Sequence, residues 1–142
     1  VKKVQPIYDT LKQLHKQKIF IEITNLIVPQ IGDNLEECKA LADWISHELG
    51  AETPLHLLQY QGGELDIPPT PISTLERFAE ESRREGLRYV YIHSVPPHQD
   101  ESTFCHNCRE LVIERKSSIV KKSKIIDNRC PKCGFMLNFL SG

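Results

Sequence analysis

Four of the five cysteines in this 142-residue chain form two doublets of identical spacing, Cys105-His106-Asn107-Cys108 and Cys130-Pro131-Lys132-Cys133. Two residues between thiols close a tight loop whose sulfurs converge, and a tetrahedral all-thiolate site takes two such loops. Zinc is the expected ion, and iron in a rubredoxin-like centre, which uses the same ligands, stays open. Pro131 fixes φ in the second loop. Gly134, just after it, can take the positive φ that turns backbone N–H groups toward thiolates. Residues 109–129 are predicted to form a β-hairpin that brings the loops together. Disulfide or redox pairs are the competing readings, and neither explains a doublet that occurs twice. His106 lies between two ligands of a set that four cysteines already complete, so it reads as an exposed turn residue. Cys38 falls on a helical stripe with Leu41, Trp44 and Ile45 and reads as a small core residue.

Other candidates for chemistry are sparser. His56, His93 and His98 could be assembled with nearby carboxylates into a hydrolytic or acid–base site, but no nucleophile motif accompanies them. Eighteen Lys and Arg against nineteen Asp and Glu give a net charge of −1, which argues against global capture of nucleic acid or anionic lipid. Residues 101–142 nevertheless carry +4 and residues 1–100 carry −5. Four thiolates around a dication leave −2, so part of the basic tail offsets its own metal site. Lys121, Lys122 and Lys124 interleave with Val120, Ile125 and Ile126 as on the solvated side of a hairpin. The tail lacks the aromatic platform of single-strand binders, so nucleic acid is not the expected partner. No apolar run spans a bilayer, and the odd cysteine count fits a reducing cytoplasm better than a secreted disulfide framework. The chain opens on Val1, Lys2 and Lys3 without a signal-peptide pattern, and it reads as a piece of a longer or processed polypeptide.

The elements that must position these groups alternate. Ile7 to Lys18 is predicted to be an amphipathic helix. Ile19 to Val28, dense in β-branched residues, reads as a strand buried on both faces of a parallel sheet. Asp33 or Asn34 offers the N-cap of a helix through Trp44 that reaches Gly50. Leu55 to Tyr60 is a second strand, and Pro68-Pro69-Thr70-Pro71 leads into a helix from Ser73, with Glu76 at capping-box distance. Leu87 to Ile92 is a third strand after Gly86. The order implies α/β architecture with parallel crossovers, and three strands alone would leave apolar edges that want more sheet or a second copy. Alternation along each strand places Glu22 and Thr24 on one face and Gln59 and Gln61 on one face, candidates for a ligand at the sheet.

The runs Ile21-Glu22-Ile23-Thr24-Asn25-Leu26-Ile27-Val28-Pro29, Pro68-Pro69-Thr70-Pro71, Gly86-Leu87-Arg88-Tyr89-Val90-Tyr91-Ile92, Val95-Pro96 and Thr103-Phe104-Cys105-His106-Asn107-Cys108 resemble the C-terminal part of a radical S-adenosylmethionine enzyme. The likeness is to the enzymes of the AmmeMemoRadiSam system, which are similar to pyruvate formate-lyase activating enzyme. It implies the last βα units of a partial (β/α) barrel over residues 1–98 and a zinc-ribbon-like four-cysteine module over 99–142. It also implies that Glu22, Thr24, Gln59 and Gln61 stand near bound S-adenosylmethionine. Thr24 falls where activating enzymes carry Arg, and Gln61 where relatives carry His.

In that family a [4Fe-4S] cluster held by Cys-x3-Cys-x2-Cys drives reductive cleavage of S-adenosylmethionine. The motif is absent here, since residues 1–100 contain only Cys38. The expectation is therefore a C-terminal segment whose cluster-binding half lies in a preceding segment or a partner protein, and which is inactive alone. A stand-alone zinc-ribbon module that binds protein or nucleic acid is the alternative.

Overall fold

The computed structural model describes residues 4–63 and 66–139. Val1, Lys2 and Lys3, which bear on a leader segment, lie outside that range. The chain is α/β: helix α1 (Gln5–Lys16), strand β1 (Ile23–Ile27), α2 (Leu35–Glu48), β2 (Leu55–Gln59), α3 (Ile72–Arg84) and β3 (Val90–His93) come first. A short 3-10 turn at Gln99–Glu101 leads to β4 (Thr103–Phe104), β5 (Leu111–Lys116) and β6 (Ile119–Ser123). The first three strands form a parallel sheet in the order β1-β2-β3, with Thr24 opposite His56 and His56 opposite Tyr91. The last three form an antiparallel sheet, β4-β5-β6.

All three helices gather on one face of the parallel sheet. Ile27, Leu55, Leu57, Val90 and Ile92 meet Ala42, Ile45, Leu75 and Phe78 in one apolar cluster, with Leu11 of α1 packed against it. Cys38 is buried there, 3.7 Å from the Ser82 hydroxyl. Burial raises its thiol pKa, so it is an inert core residue. Asn34 caps α2, its Oδ1 accepting from Glu36 N–H at 2.9 Å and Glu37 N–H at 3.3 Å. Gly50 and Gly86 follow α2 and α3 at φ +105° and +101°, conformations that L side chains rarely adopt.

Two sequence expectations need correction. The stretch from Ile19 to Val28 is not a strand buried on both faces. Only Ile23–Ile27 is extended in the sheet, burial alternates along it, and Leu26 is 50% exposed. The cause is the one-sided helix layer, which leaves the opposite face of β1 bare. Nor does Ser73 form a capping box with Glu76. The helix begins at Ile72 behind Pro71, which offers no side-chain cap, and Glu76 instead meets His98 Nε2 at 3.0 Å. Among the described residues, His98 forms a capping box with Glu101.

The predicted hairpin after Cys108 is present as β5 and β6, turned at Ser117 and Ser118 with φ of 51° and 63°. Both central residues are left-handed, the backbone twist that two-residue hairpins favour. Every residue of β6 is exposed, so Lys121 and Lys122 are solvated as expected, whereas Lys124 is half-buried and donates to Glu110 Oε1 at 3.0 Å.

The two sheets touch through aromatic residues. The Tyr89 hydroxyl donates to the Leu137 carbonyl, and Tyr91 Oη lies 2.9 Å from Thr103 Oγ1. The Arg115 guanidinium reaches Thr103 Oγ1 at 2.7 Å and sits 5.6 Å above the Tyr91 ring. No helix among the described residues is long and apolar enough to cross a membrane.

Candidate metal centre

The two cysteine loops are built alike. In the first, Cys105 N–H donates to the Glu110 carbonyl at 2.8 Å and Arg109 N–H to the Cys105 carbonyl at 2.9 Å. In the second, Cys130 N–H donates to the Phe135 carbonyl and Gly134 N–H to the Cys130 carbonyl, both at 2.9 Å. The residue after each doublet is left-handed, Arg109 at φ 63° and Gly134 at φ 73°. That turn aims the next N–H at the second sulfur of the loop, Glu110 N–H at Cys108 and Phe135 N–H at Cys133. The role expected of Gly134 is thus the one it has, and Arg109 performs the same role without being glycine.

The four sulfurs face one another. Cys105 Sγ is 3.6 Å from Cys133 Sγ, Cys108 Sγ is 3.6 Å from Cys130 Sγ, and all four lie within 4.8 Å of each other. Sulfurs at ~2.3 Å from a tetrahedral zinc stand about 3.8 Å apart, so the spacing fits an ion at the centre. It is far beyond the ~2.05 Å of a disulfide, and all five cysteines are free.

Electrostatics point the same way. The Asn107 side chain and the Phe135 N–H stabilise the Cys133 thiolate and lower its pKa to about 6. Cys108 also receives an N–H, from Glu110, yet desolvation and the other three sulfurs push it up to about 12. Four thiolates this close cannot all ionise without a cation, and a dication between them removes the conflict. Cys105 and Cys130 are buried and Cys133 is exposed. The donors therefore suit a closed structural ion, and the identity of the metal is not fixed by them.

Around this centre the local core is small: Val112, Ile113 and Leu137 with the two buried cysteines. Asn128 ties the last strand-like segment to its turn, donating from Nδ2 to the Phe139 carbonyl at 2.9 Å and accepting Phe139 N–H at 2.8 Å. His106 differs from its expected place on an exposed turn. Its ring stands edge-on to Phe135 at 4.8 Å and to Tyr89 at 6.1 Å, and both ring nitrogens are buried without partners. Desolvation lowers its pKa, which keeps it neutral and aromatic in character.

The residues expected at the parallel sheet divide. Glu22 and Thr24 share the bare face. Gln59 and Gln61 point elsewhere: Gln59 Nε2 donates to the Thr70 carbonyl at 2.7 Å, and Gln61 Nε2 donates to Gln59 Oε1 at 2.8 Å and to the Ser94 carbonyl. Thr70, buried in the Pro-rich lead to α3, links β1 to β2 by donating to the Ile27 carbonyl at 2.5 Å and accepting Tyr60 N–H at 3.2 Å. The four residues do not converge on one ligand-sized space.

The three histidines divide as well. His98 is committed to the turn, its Nδ1 accepting Asp100 N–H at 3.1 Å. His56 and His93 meet, Nδ1 to Nε2 at 2.9 Å, and Glu22 Oε2 lies 3.2 Å from His56 Nε2. That contact is off the axis of a hydrogen bond, leaving His56 Nε2 buried without an aligned partner. Burial lowers the pKa of both rings, and His56 further holds down that of His93. No sequence signal joins positions 56 and 93 except parity, since both occupy the bare face of neighbouring strands.

No protein-family model matches the chain. It is similar to the uncharacterized protein MJ0808 of Methanocaldococcus jannaschii, at 41% identity over 138 residues that include 92% of this chain. The chain spans 40% of the length of that relative.

Proposed function

We propose that this chain supplies the late βα units of a (β/α) barrel in a radical S-adenosylmethionine enzyme, followed by a zinc-ribbon-like module that holds one structural zinc. The observation that carries the reading is the one-sided sheet. Parallel strands in sequential order with the described helices on one face match what a barrel wall would present, whereas doubly wound sheets place helices on both faces. A parallel face without helices, holding Glu22, Thr24, His56 and His93 and covered by the tail at Tyr91, suits a barrel interior closed by further strands. A relative of more than twice this length is consistent with further chain beyond these strands. Such strands come from a preceding segment or from a partner protein. Free thiolates at a metal centre fit the reducing cytoplasm.

S-adenosylmethionine and the [4Fe-4S] cluster would be held chiefly by residues outside this sequence, which has no Cys-x3-Cys-x2-Cys. Within it, Glu22 and Thr24 remain available on the inner face, while Gln59 and Gln61 are engaged with Thr70 and Ser94. This chain's own contribution is then wall, closure and metal-braced tail.

The test is anaerobic reconstitution of the natural-length polypeptide with iron and sulfide. The reading expects a [4Fe-4S] signal by electron paramagnetic resonance and 5′-deoxyadenosine on reduction with S-adenosylmethionine, and neither from residues 1–142 alone. A natural-length protein with no cluster overturns it. The fully exposed, lysine-rich β6 favours a second reading, a ribbon that docks a partner macromolecule. Salt-sensitive capture abolished by neutralising Lys121 and Lys122 would support that one.

A further inference from the structure

A cavity of about 310 Å³ lies between the bare sheet face and the four-cysteine module. We propose that it binds a small amine, received by the hydrogen-bonded pair His56 and His93 with the Glu22 carboxylate beside it. The cavity is lined by described residues of this chain, and the proposal uses no step of the radical chemistry.

The order of protons along the pair follows from its Glu22 end. The Glu22 carboxylate, 3.2 Å from His56 Nε2, favours the tautomer with the proton on that nitrogen. His56 Nδ1 is then an acceptor, so the 2.9 Å contact is donated by His93 Nε2. His93 is left with a bare Nδ1, which has no partner among the described residues and belongs to a ring that lines the cavity. Both rings are desolvated, which keeps them uncharged and preserves this acceptor near neutral pH.

The rest of the lining selects the ligand. Glu22, Glu52 and Glu101 face the cavity against Arg115 alone, so with neutral imidazoles it carries a net negative charge and disfavours anions. Glu101 is already held by His98 N–H at 3.0 Å and Ser118 N–H at 2.8 Å, and Arg115 by Thr103 and the Tyr91 ring. Glu22, with half its side chain exposed, Glu52 and His93 remain to meet a donor. Phe20, Tyr89, Tyr91 and Phe139 supply walls on which a flat or cationic group can rest. An apolar or aromatic body bearing an ammonium or amine fits these requirements.

The experiment is nuclear magnetic resonance on the zinc-loaded, nitrogen-15-labelled chain at pH 7.5. Long-range proton–nitrogen spectra should report a bare Nδ1 on His93 and a protonated Nε2 on His56. Glu22→Gln, a change at a half-exposed side chain, should erase the tautomer preference of His56. Benzylamine at millimolar concentration should then shift the His93 and Tyr91 signals, with at least tenfold weaker binding in His93→Asn and no comparable shift from benzoate. A protonated Nδ1 on His93, equal response to benzoate, or undiminished benzylamine binding in His93→Asn overturns the proposal. The Ile92 and Leu57 methyl signals establish that each variant retains its core.

Discussion

The two sheets of this molecule reach stability by different means. The parallel sheet and its helices bury thirteen residues in one cluster, among them Phe78, Leu75, Ile45 and Leu57 at 0% exposure. The antiparallel module buries five, and two of those are cysteines of the metal centre. At ~25 cal/mol per Å² of apolar area, the first is a conventional hydrophobic core and the second is too small to order its loops without a cross-link. The difference teaches that the tail is specified by ligand spacing and the front by apolar periodicity.

Removing the metal is the strongest way to break this contrast. Structural zinc contributes on the order of 10 kcal/mol to such loops. Chelation, or Cys130→Ser, should therefore collapse the amide signals of 103–139 while those of α1 to β3 stay dispersed. Simultaneous loss of both sets would mean that the front depends on the tail. The converse perturbation is Phe78→Ala, expected to cost about 3–5 kcal/mol by leaving a cavity under α3. Denaturant unfolding followed by tryptophan fluorescence of Trp44 should shift accordingly, with one equivalent of metal still bound in the unperturbed tail.

A smaller effect measures how the halves communicate. Tyr91→Phe removes the hydroxyl that meets Thr103 and should cost roughly 1 kcal/mol, visible as earlier separation of the two unfolding transitions. Unchanged coupling would assign the junction to Tyr89 and Leu137 instead. The least effect comes from pH. His56 and His93 titrate lower in the folded protein than unfolded, so the unfolded chain binds more protons below about pH 6.5. Stability of the parallel sheet should hold above that value and fall as pH drops through it. Denaturant midpoints at pH 7.5 and 5.5 check this, and His56→Gln with His93→Asn should flatten the difference.

Legibility in the sequence tracked how local the determinants are. The doublets at 105/108 and 130/133 required only spacing, and Asn34, Gly50 and Gly86 only neighbours within one turn. The helix-free face of β1 is not legible, because Leu26 looks like a core residue until the helices are seen to lie on one side. The Glu76 capping box lost to His98, twenty-two residues away, and the His56–His93 contact arises from strand register that no local pattern encodes. The bridging role of Thr70 is not legible because in sequence a buried hydroxyl between two strands resembles any loop threonine.

The paired loops also set how the tail would respond to mutation. Arg109 and Gly134 occupy the same left-handed position, but only one is a glycine. Arg109→Gly relieves backbone strain and sacrifices a guanidinium 5.6 Å from the Phe104 ring, whereas Gly134→Ala gains strain of about 1 kcal/mol with no new contact in return. In a scan of every substitution, two geometrically equivalent sites would show opposite tolerance, and the first loop would have room for improvement that the second has already used.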